Sequence, residues 1–308
     1  MEQRVNPEPA FDLNAYLKER KQRIDEALDR YLPGEEKSPA ELFKAMRYSL
    51  FAGGKRIRPI LCLAAAETVG QSAFPDALLP VACALEYIHT YSLIHDDLPA
   101  MDNDDYRRGN PTSHKVFGEA LAILAGDALL TEAFSLMARV DLQVGLAAEN
   151  RLRVISEIAT AAGAFGMVGG QVDDVQSEGK PGNLDLLNQI HARKTGAMIV
   201  VSLRAGAILA GGTESDLSAL TDYGHKIGLV FQIADDILNV EGDRELLGKN
   251  TGSDATRGKM TFPNLLGLEY SRQKAFSLVE EAISDLDVFD SRATPLRRLA
   301  RYFVERRF

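Results

Sequence analysis

LPVACALEYIHTYSLIHDDLPAMDNDDYRRG, residues 79–109, is the stretch on which the reading of the chain turns. Its first part is rich in Ala, Leu and Ile with no period-two alternation, which reads as a helix buried on nearly every side. Its last part carries Asp96, Asp97, Asp102, Asp104 and Asp105, followed at once by Arg107 and Arg108. Pro99 should end the helix, so Asp102 has to return to the helix end from a turn rather than from the next helical rung. At about 100° per residue, His89, Ser92 and Asp96 share one face.

Outward from this stretch the chain keeps a helical period. FDLNAYLKERKQRIDEALDRYL (11–32) and SPAELFKAMRYSLFAG (38–53) repeat apolar residues at three- and four-residue steps. Pro33-Gly34 ends the first, Ser38-Pro39 opens the second with a cap and a proline, and Gly53-Gly54 closes it. Further helices are predicted over 59–70, 76–98, 114–140, 147–170, 184–211, 215–239, 262–271, 273–286 and 292–306. RVISEIATAAGAFGMVGGQ (153–171) and TGAMIVVSLRAGAILAGG (195–212) are apolar nearly all round, as central helices of a large bundle are. The polar loops 99–113, 172–183 and 241–261 are long enough to be functional or mobile. The expected fold is all-α, one domain over 1–308.

The 308 residues carry 35 Lys+Arg against 44 Asp+Glu, a net charge of −9. That balance disfavours a nucleic-acid binder held by phosphate attraction. An acidic enzyme acting on anions needs local basic clusters or bridging cations. Cys62 and Cys83 lie in apolar helical stretches and read as small buried residues of a reducing compartment. The first twenty-odd residues lack the apolar centre of a signal peptide, and no uninterrupted apolar run reaches about 18 residues. A cytoplasmic protein without a membrane span is expected.

A second acidic run, FQIADDILNVEGD (231–243), closes another apolar helix. Gln232, Asp235, Asp236 and Asn239 form one stripe of it, with Ile233, Ile237, Leu238 and Val240 opposite. Either acidic run alone is equally a solvated helix end. Together they read as two carboxylate walls able to hold hard divalent cations, which take oxygen ligands and, for magnesium, substrate phosphates. Basic counterparts stand in GGKRIRP (53–59), with Lys55, Arg56 and Arg58 beside a helix N-terminus, and at Arg107-Arg108. Lys194-Thr195 starts an apolar helix, and Lys249 and Lys259 sit in a Gly-rich loop that looks like a lid. Each of these is also compatible with an ordinary surface cation. His95 and His114 read as structural, whereas His89 lies on the acidic face. No Ser/His/Asp set, zinc spacing or Walker loop is visible. The chemistry indicated is metal-assisted work on a diphosphate.

In this order, GGKRIRP, IHDDLPAMDNDDYRRG, GGQVDDVQSEGK, ARKTGAM and FQIADDILNVEGD resemble the motifs of the short-chain trans-polyprenyl diphosphate synthases, of the farnesyl and geranylgeranyl type, over about residues 40–270. The resemblance implies an all-α fold around a deep cavity, a homodimer, and the joining of isopentenyl diphosphate to an allylic diphosphate. It implies Asp96, Asp102 and Asp235 as ligands of typically three Mg2+ ions, supported by Asp236 and Asn239. Lys55, Arg58, His89 and Arg108 take the place of isopentenyl diphosphate binders. Arg107, Lys194, Lys249 and Lys259 take that of contacts to the allylic diphosphate. Thr195, Gln232 and Gln171 would line the carbocation, with Asp174 positioning basic neighbours. The second motif departs from the usual pattern at Asn239, where the family has a third aspartate.

Tyr91 lies five residues before Asp96, about 7–8 Å deeper along the helix at ~1.5 Å per residue. In the resembled family an aromatic there accompanies arrest at fifteen carbons, so Tyr91, with small Ser92 beside it, favours a farnesyl product over a geranylgeranyl one. Two other readings remain: a class I terpene cyclase, which lacks a second diphosphate site, and a silent synthase subunit, which loses motif residues.

Overall fold

Helices follow one another as the sequence pattern demands, and their breaks fall at glycine and proline. A computed structural model describes residues 11–70, 76–241 and 260–305. Along the chain run α1 (Leu13–Tyr31), α2 (Ala40–Phe51), α3 (Ile57–Val69), α4 (Leu79–Asp96), α5 (Ser113–Phe117), α6 (Glu119–Ala138), α7 (Ala148–Ala162) and α8 (Met167–Ser177). They are followed by α9 (Leu184–His191), a π-helical turn (Ala192–Gly196), α10 (Ala197–Leu209), α11 (Glu214–Glu241), α12 (Phe262–Leu266), α13 (Leu268–Asp285) and α14 (Thr294–Glu305). The β-structure among the described residues is a two-stranded hairpin, Tyr106–Arg107 against Asn110–Pro111.

Of the two stretches expected at the centre, 195–212 lies there and 153–171 does not. α7 buries only Val154, Ile158 and Ala162 and leaves Leu152 exposed, because Arg153, Glu157 and their polar neighbours give it a solvent face, so α4 and α10 form the axis of the bundle. In α4, 13 of 18 residues are buried, and in α10, 11 of 13. α4 packs along α6, α10 lies between α3 and α11, and α13 covers the outer side of α11. Core residues form one cluster running from Tyr16 to Val304. Arg56, at the left-handed N-cap of α3, is 3% exposed and satisfied from three sides. It donates to the Asp25 carboxylate (2.8 Å), the Glu86 carboxylate (2.8 Å) and the Leu50 carbonyl oxygen (2.8 Å). Arg56 is therefore a structural cation tying α1, α2 and α4 together.

Several expected boundaries are corrected. The 114–140 segment is two helices broken at Gly118, and the 262–286 break falls at Gly267; both glycines have φ +83°. The predicted 147–170 helix stops at Ala162, and a new one starts at Met167, so the expected loop 172–183 is helical as far as Ser177. A one- to four-residue interruption leaves the apolar period almost in phase, which is why periodicity overlooks it. Ser38 lies outside α2, whose N-cap is Pro39 without a side-chain cap bond. Val240 is exposed and Leu238 reaches the cavity, so the apolar stripe of α11 is narrower than its sequence suggests.

Three helical stretches, 76–96, 119–138 and 148–177, are long and apolar enough in composition to cross a membrane. Counting uninterrupted runs missed them because single polar residues such as Glu86 break each run. The first is largely buried inside the bundle, where an all-round apolar helix is what a core requires.

Candidate active site

A cavity of about 1070 Å³ opens between α4, α8, the π turn and α11. Both acidic helix ends reach it. On α4, His89, Ser92 and Asp96 line it together, as their spacing predicted. The chain leaves α4 at Asp96 and turns back, the Asp102 N–H donating to the Asp96 carbonyl oxygen at 2.8 Å. Asp102 thereby returns to the cavity from a turn. Burial, with Asp102 and Asp97 adding repulsion against the attraction of Lys194, holds the Asp96 carboxyl above its ordinary range. From α11 come Gln232, Asp235 and Asp236. Asp236 also accepts the Phe262 N–H at 2.9 Å, tying the start of α12 to this wall. Asn239 is buried and does not line the cavity.

The same cavity takes in a positive cluster. Lys55, Arg58, Arg107 and Arg108 all line the cavity. Arg108 and Gly109 both have positive φ (+54° and +80°) at the tip of the hairpin, a pattern of type I′ turns, which calls for a glycine. This turn folds the Arg108 guanidinium over Gly54, where an added Cβ would meet Nη1 at 2.7 Å, and Arg108 donates to the Gly53 carbonyl oxygen. The GG and RRG motifs, 55 residues apart, are thus two halves of one basic cradle. Burial, with repulsion from Arg108 and against attraction to Glu86, lowers the Arg58 pKa to about 10, and its buried Nε has no partner. Burial and the surrounding arginines push His89 well below its ordinary range, so it is neutral. This concentration of cations invites an anion with several acceptor oxygens.

Arg107 is held by Asp97, 3% exposed, which accepts from its Nε (2.8 and 2.9 Å) and Nη2 (2.5 Å). Asp97 was not singled out from sequence; its position directly after Asp96 hid a different job. The third wall is the π turn, a distortion that frequently marks functional sites. α8 approaches it so closely at Gly170 that a Cβ there would meet the Lys194 backbone nitrogen at 2.4 Å. Lys194 donates to Asp174 of α8 at 2.6 Å, and Thr195 Oγ1 donates to Gln232 Oε1 at 2.9 Å. Gln171 lines the same space with a buried, unpartnered Oε1. His191, three residues before Lys194, also lines it and was overlooked; its ring stacks on Phe262 at 5.6 Å, and burial lowers its pKa to about 4. Its helical spacing from Lys194 was the available signal. Tyr91, Phe231, Met167 and Ile199 supply an apolar part of the lining. Lys249, Lys259 and Asp243 lie outside the described residues.

The donor set suits magnesium. Asp96, Asp102 and Asp235 are oxygen donors, two of them mutually repelling, at the rim of a cavity rich in anion-binding groups. Among the described residues no cluster of three His, Cys, Asp or Glu stands close enough to hold an ion by itself. Each wall offers one or two carboxylates, the pattern of ions whose shell is completed by substrate phosphates.

Comparison with known proteins agrees. Residues 39–292 match the polyprenyl synthetase family model. The chain is 51% identical over 272 residues to a farnesyl diphosphate synthase of Geobacillus stearothermophilus, covering 88% of this chain and 90% of that one. It is 48% identical over 297 residues to a geranylgeranyl diphosphate synthase of Cyanophora paradoxa, covering 96% and 97%. The crystal structure of an FPP/GFPP synthase from Zymomonas mobilis superposes with a TM-score of 0.85 at 41% identity, over 95% of this chain and 99% of that chain. By the span of the family match and these likenesses, the chain belongs to the polyprenyl synthetase family, among its short-chain trans-prenyl diphosphate synthases.

Proposed function

We propose that this prenyltransferase, one synthase domain over 1–308, condenses isopentenyl diphosphate with dimethylallyl or geranyl diphosphate and stops at (E,E)-farnesyl diphosphate. The observation that carries the reading is one cavity lined both by Asp96, Asp102 and Asp235, with Arg107 held beside them by Asp97, and by Lys55, Arg58 and Arg108. Two kinds of charged group accommodate two diphosphates: one ionised through cations, one held by basic side chains. A cyclase needs only the first, and a silent subunit would lack part of one.

Asp96, Asp102 and Asp235 would hold Mg2+, typically three ions with bound diphosphate, with Asp236 and Asn239 supporting the second helix end; when bound, the metal would supply Lewis acidity toward the allylic diphosphate. Arg107, steered by Asp97, and Lys194, steered by Asp174, take charge that develops on the leaving group. Lys249 and Lys259, which lie outside the described residues, are proposed as further contacts to the allylic diphosphate. Lys55, Arg58, neutral His89 and Arg108 orient isopentenyl diphosphate so that its double bond faces the allylic carbon. The Thr195–Gln232 pair and the Gln171 oxygen turn dipoles toward the cation. The double bond attacks, a carbon–carbon bond forms, and a proton passes to the departing diphosphate. Both cysteines are buried thiols, in keeping with a reducing cytoplasm.

Product length is read from Tyr91, 7% exposed on the cavity wall below Asp96. Tyr91→Ala is expected to shift the main product from fifteen to twenty carbons or more. Sizing the dephosphorylated products checks this, and an unchanged product refutes the floor. The geranylgeranyl reading keeps its support from relatives of both names. The general test is incubation with Mg2+, isopentenyl diphosphate and dimethylallyl diphosphate: consumption of both with a fifteen-carbon product is expected, and consumption of the allylic substrate alone would favour a cyclase.

A homodimer completes the proposal. α6, α7 and α8, packed in series, expose Leu124, Leu152, Val168 and Val172, and the α7–α8 connection adds Phe165, 81% accessible. Apolar surface on three adjoining helices suits a two-fold partner of the same kind. Leu124→Asp is expected to weaken this contact and lower the mass seen in sedimentation from dimer to monomer; a wild-type chain that sediments as a monomer contradicts the proposal.

A further inference from the structure

The lining of the cavity contains a contact that the chemistry above does not use. His95 follows Tyr91 by four residues on α4, and helix side chains lean toward the N-terminus. Its imidazole therefore comes back onto the Tyr91 ring, edge to face, with centroids 5.6 Å apart and planes at 85°. The far side of the imidazole is held by α6: Nε2 lies 3.1 Å from the Ile123 carbonyl oxygen and 3.8 Å from an Asp127 carboxylate oxygen. α6 can approach because residue 126 has no side chain. A Cβ built on Gly126 would sit 2.2 Å from His95 Nε2 and 2.5 Å from Cδ2. Gly126 is buried in the interior of α6, where alanine is the better helix former. The space it leaves is filled by the imidazole. Tyr91, His95 and Ile123 all line the cavity.

We propose that His95 is a specificity-determining positioning residue, a strut from α6 that holds the Tyr91 ring across the cavity, with Gly126 as its socket. The inference rests on the reading of Tyr91 as the floor. A tyrosine at the end of a cavity yields to a growing chain by turning about its side-chain torsions, which have more than one well. A ring held at its side by an edge-to-face contact is harder to turn. Product length then depends on a residue beside the floor and on the spacing between α4 and α6, as well as on the floor itself.

The test compares wild type, Tyr91→Ala, His95→Ala and Gly126→Ala with isopentenyl and dimethylallyl diphosphates and Mg2+, sizing the dephosphorylated products and following total isopentenyl diphosphate consumption separately. His95→Ala is expected to raise the ratio of twenty- to fifteen-carbon product by about three- to tenfold, the range of one aromatic contact. Gly126→Ala displaces the imidazole from α6 onto the ring and lowers that ratio, while its Tm stays at or above wild type because alanine favours the helix. In a Tyr91→Ala background neither substitution changes the product further. If Tyr91→Ala lengthens the product while His95→Ala and Gly126→Ala keep the wild-type ratio, the strut is overturned and the floor stands. If Tyr91→Ala leaves the ratio unchanged, floor and strut fall together. A wild-type protein that consumes no isopentenyl diphosphate overturns both along with the proposed reaction.

Discussion

Asp96→Asn is expected to lower kcat for prenyl transfer by about three orders of magnitude while leaving the protein at least as stable as before. The two effects share one cause. Asp96 is sunk at the end of α4, and burial, reinforced by Asp102 and Asp97, raises its carboxyl pKa. A carboxyl whose pKa is higher in the folded than in the unfolded protein works against folding once both states ionise, and neutral pH lies in that regime. Asparagine keeps the shape and removes the charge, so this unfavourable contribution disappears. The same charge is what a divalent cation beside a departing diphosphate requires. Steady-state kinetics across a Mg2+ titration, together with a thermal melt, check the pair of outcomes. Near wild-type turnover at saturating Mg2+ would remove Asp96 from the chemistry, and a large fall in Tm would make it a structural residue instead.

The largest expected effect on stability comes from Arg56, a few residues from groups assigned to substrate. Arg56→Met leaves Glu86, 1% exposed, with its carboxylate facing an apolar side chain, and also releases Asp25 and the Leu50 carbonyl oxygen. Breaking a buried pair on one side typically costs about 3–5 kcal/mol. For a chain of this size that is a fall in Tm on the order of 5–10 °C. Arg56→Lys should recover little, because one ammonium cannot satisfy three acceptors set around a planar fork. The exposed pair Arg139–Asp141 is the control, and Arg139→Ala is expected to leave Tm unchanged. Differential scanning calorimetry decides; a melt of Arg56→Met within a degree of wild type would mean the buried network contributes nothing.

These two residues also mark the limits of reading the chain. Asp96 was legible because a helix period of 3.6 carries side-chain facing, so His89, Ser92 and Asp96 fall on one face with or without a fold. The turn that returns Asp102 was legible from Pro99, since proline cannot continue the ladder. Arg56 and Arg58 differ by two positions in a basic run and both line the cavity, and nothing local separates the one tied to protein acceptors from the one whose Nε has no partner. Their fates depend on Glu86 and Asp25, some thirty residues away. Asp97 likewise reads as a second copy of Asp96, yet its partner is Arg107. The break at Gly118 stayed hidden, and the one at Gly267 was expected five residues later, because a single left-handed residue scarcely disturbs the apolar period on either side.

By itself the sequence determined an all-helical protein, two acidic helix ends, a basic counterpart and the family to which they belong, because helix periodicity, chain punctuation and residue chemistry are local properties. Only the tertiary structure decided which charges meet in one cavity and which are spent within the protein, that Gly54 makes room for Arg108, and that His95 stands between Tyr91 and Gly126. Those are contacts between segments distant in the chain or on separate helices, set by how helices pack against one another, and close packing is a property of the assembled interior that no local pattern contains.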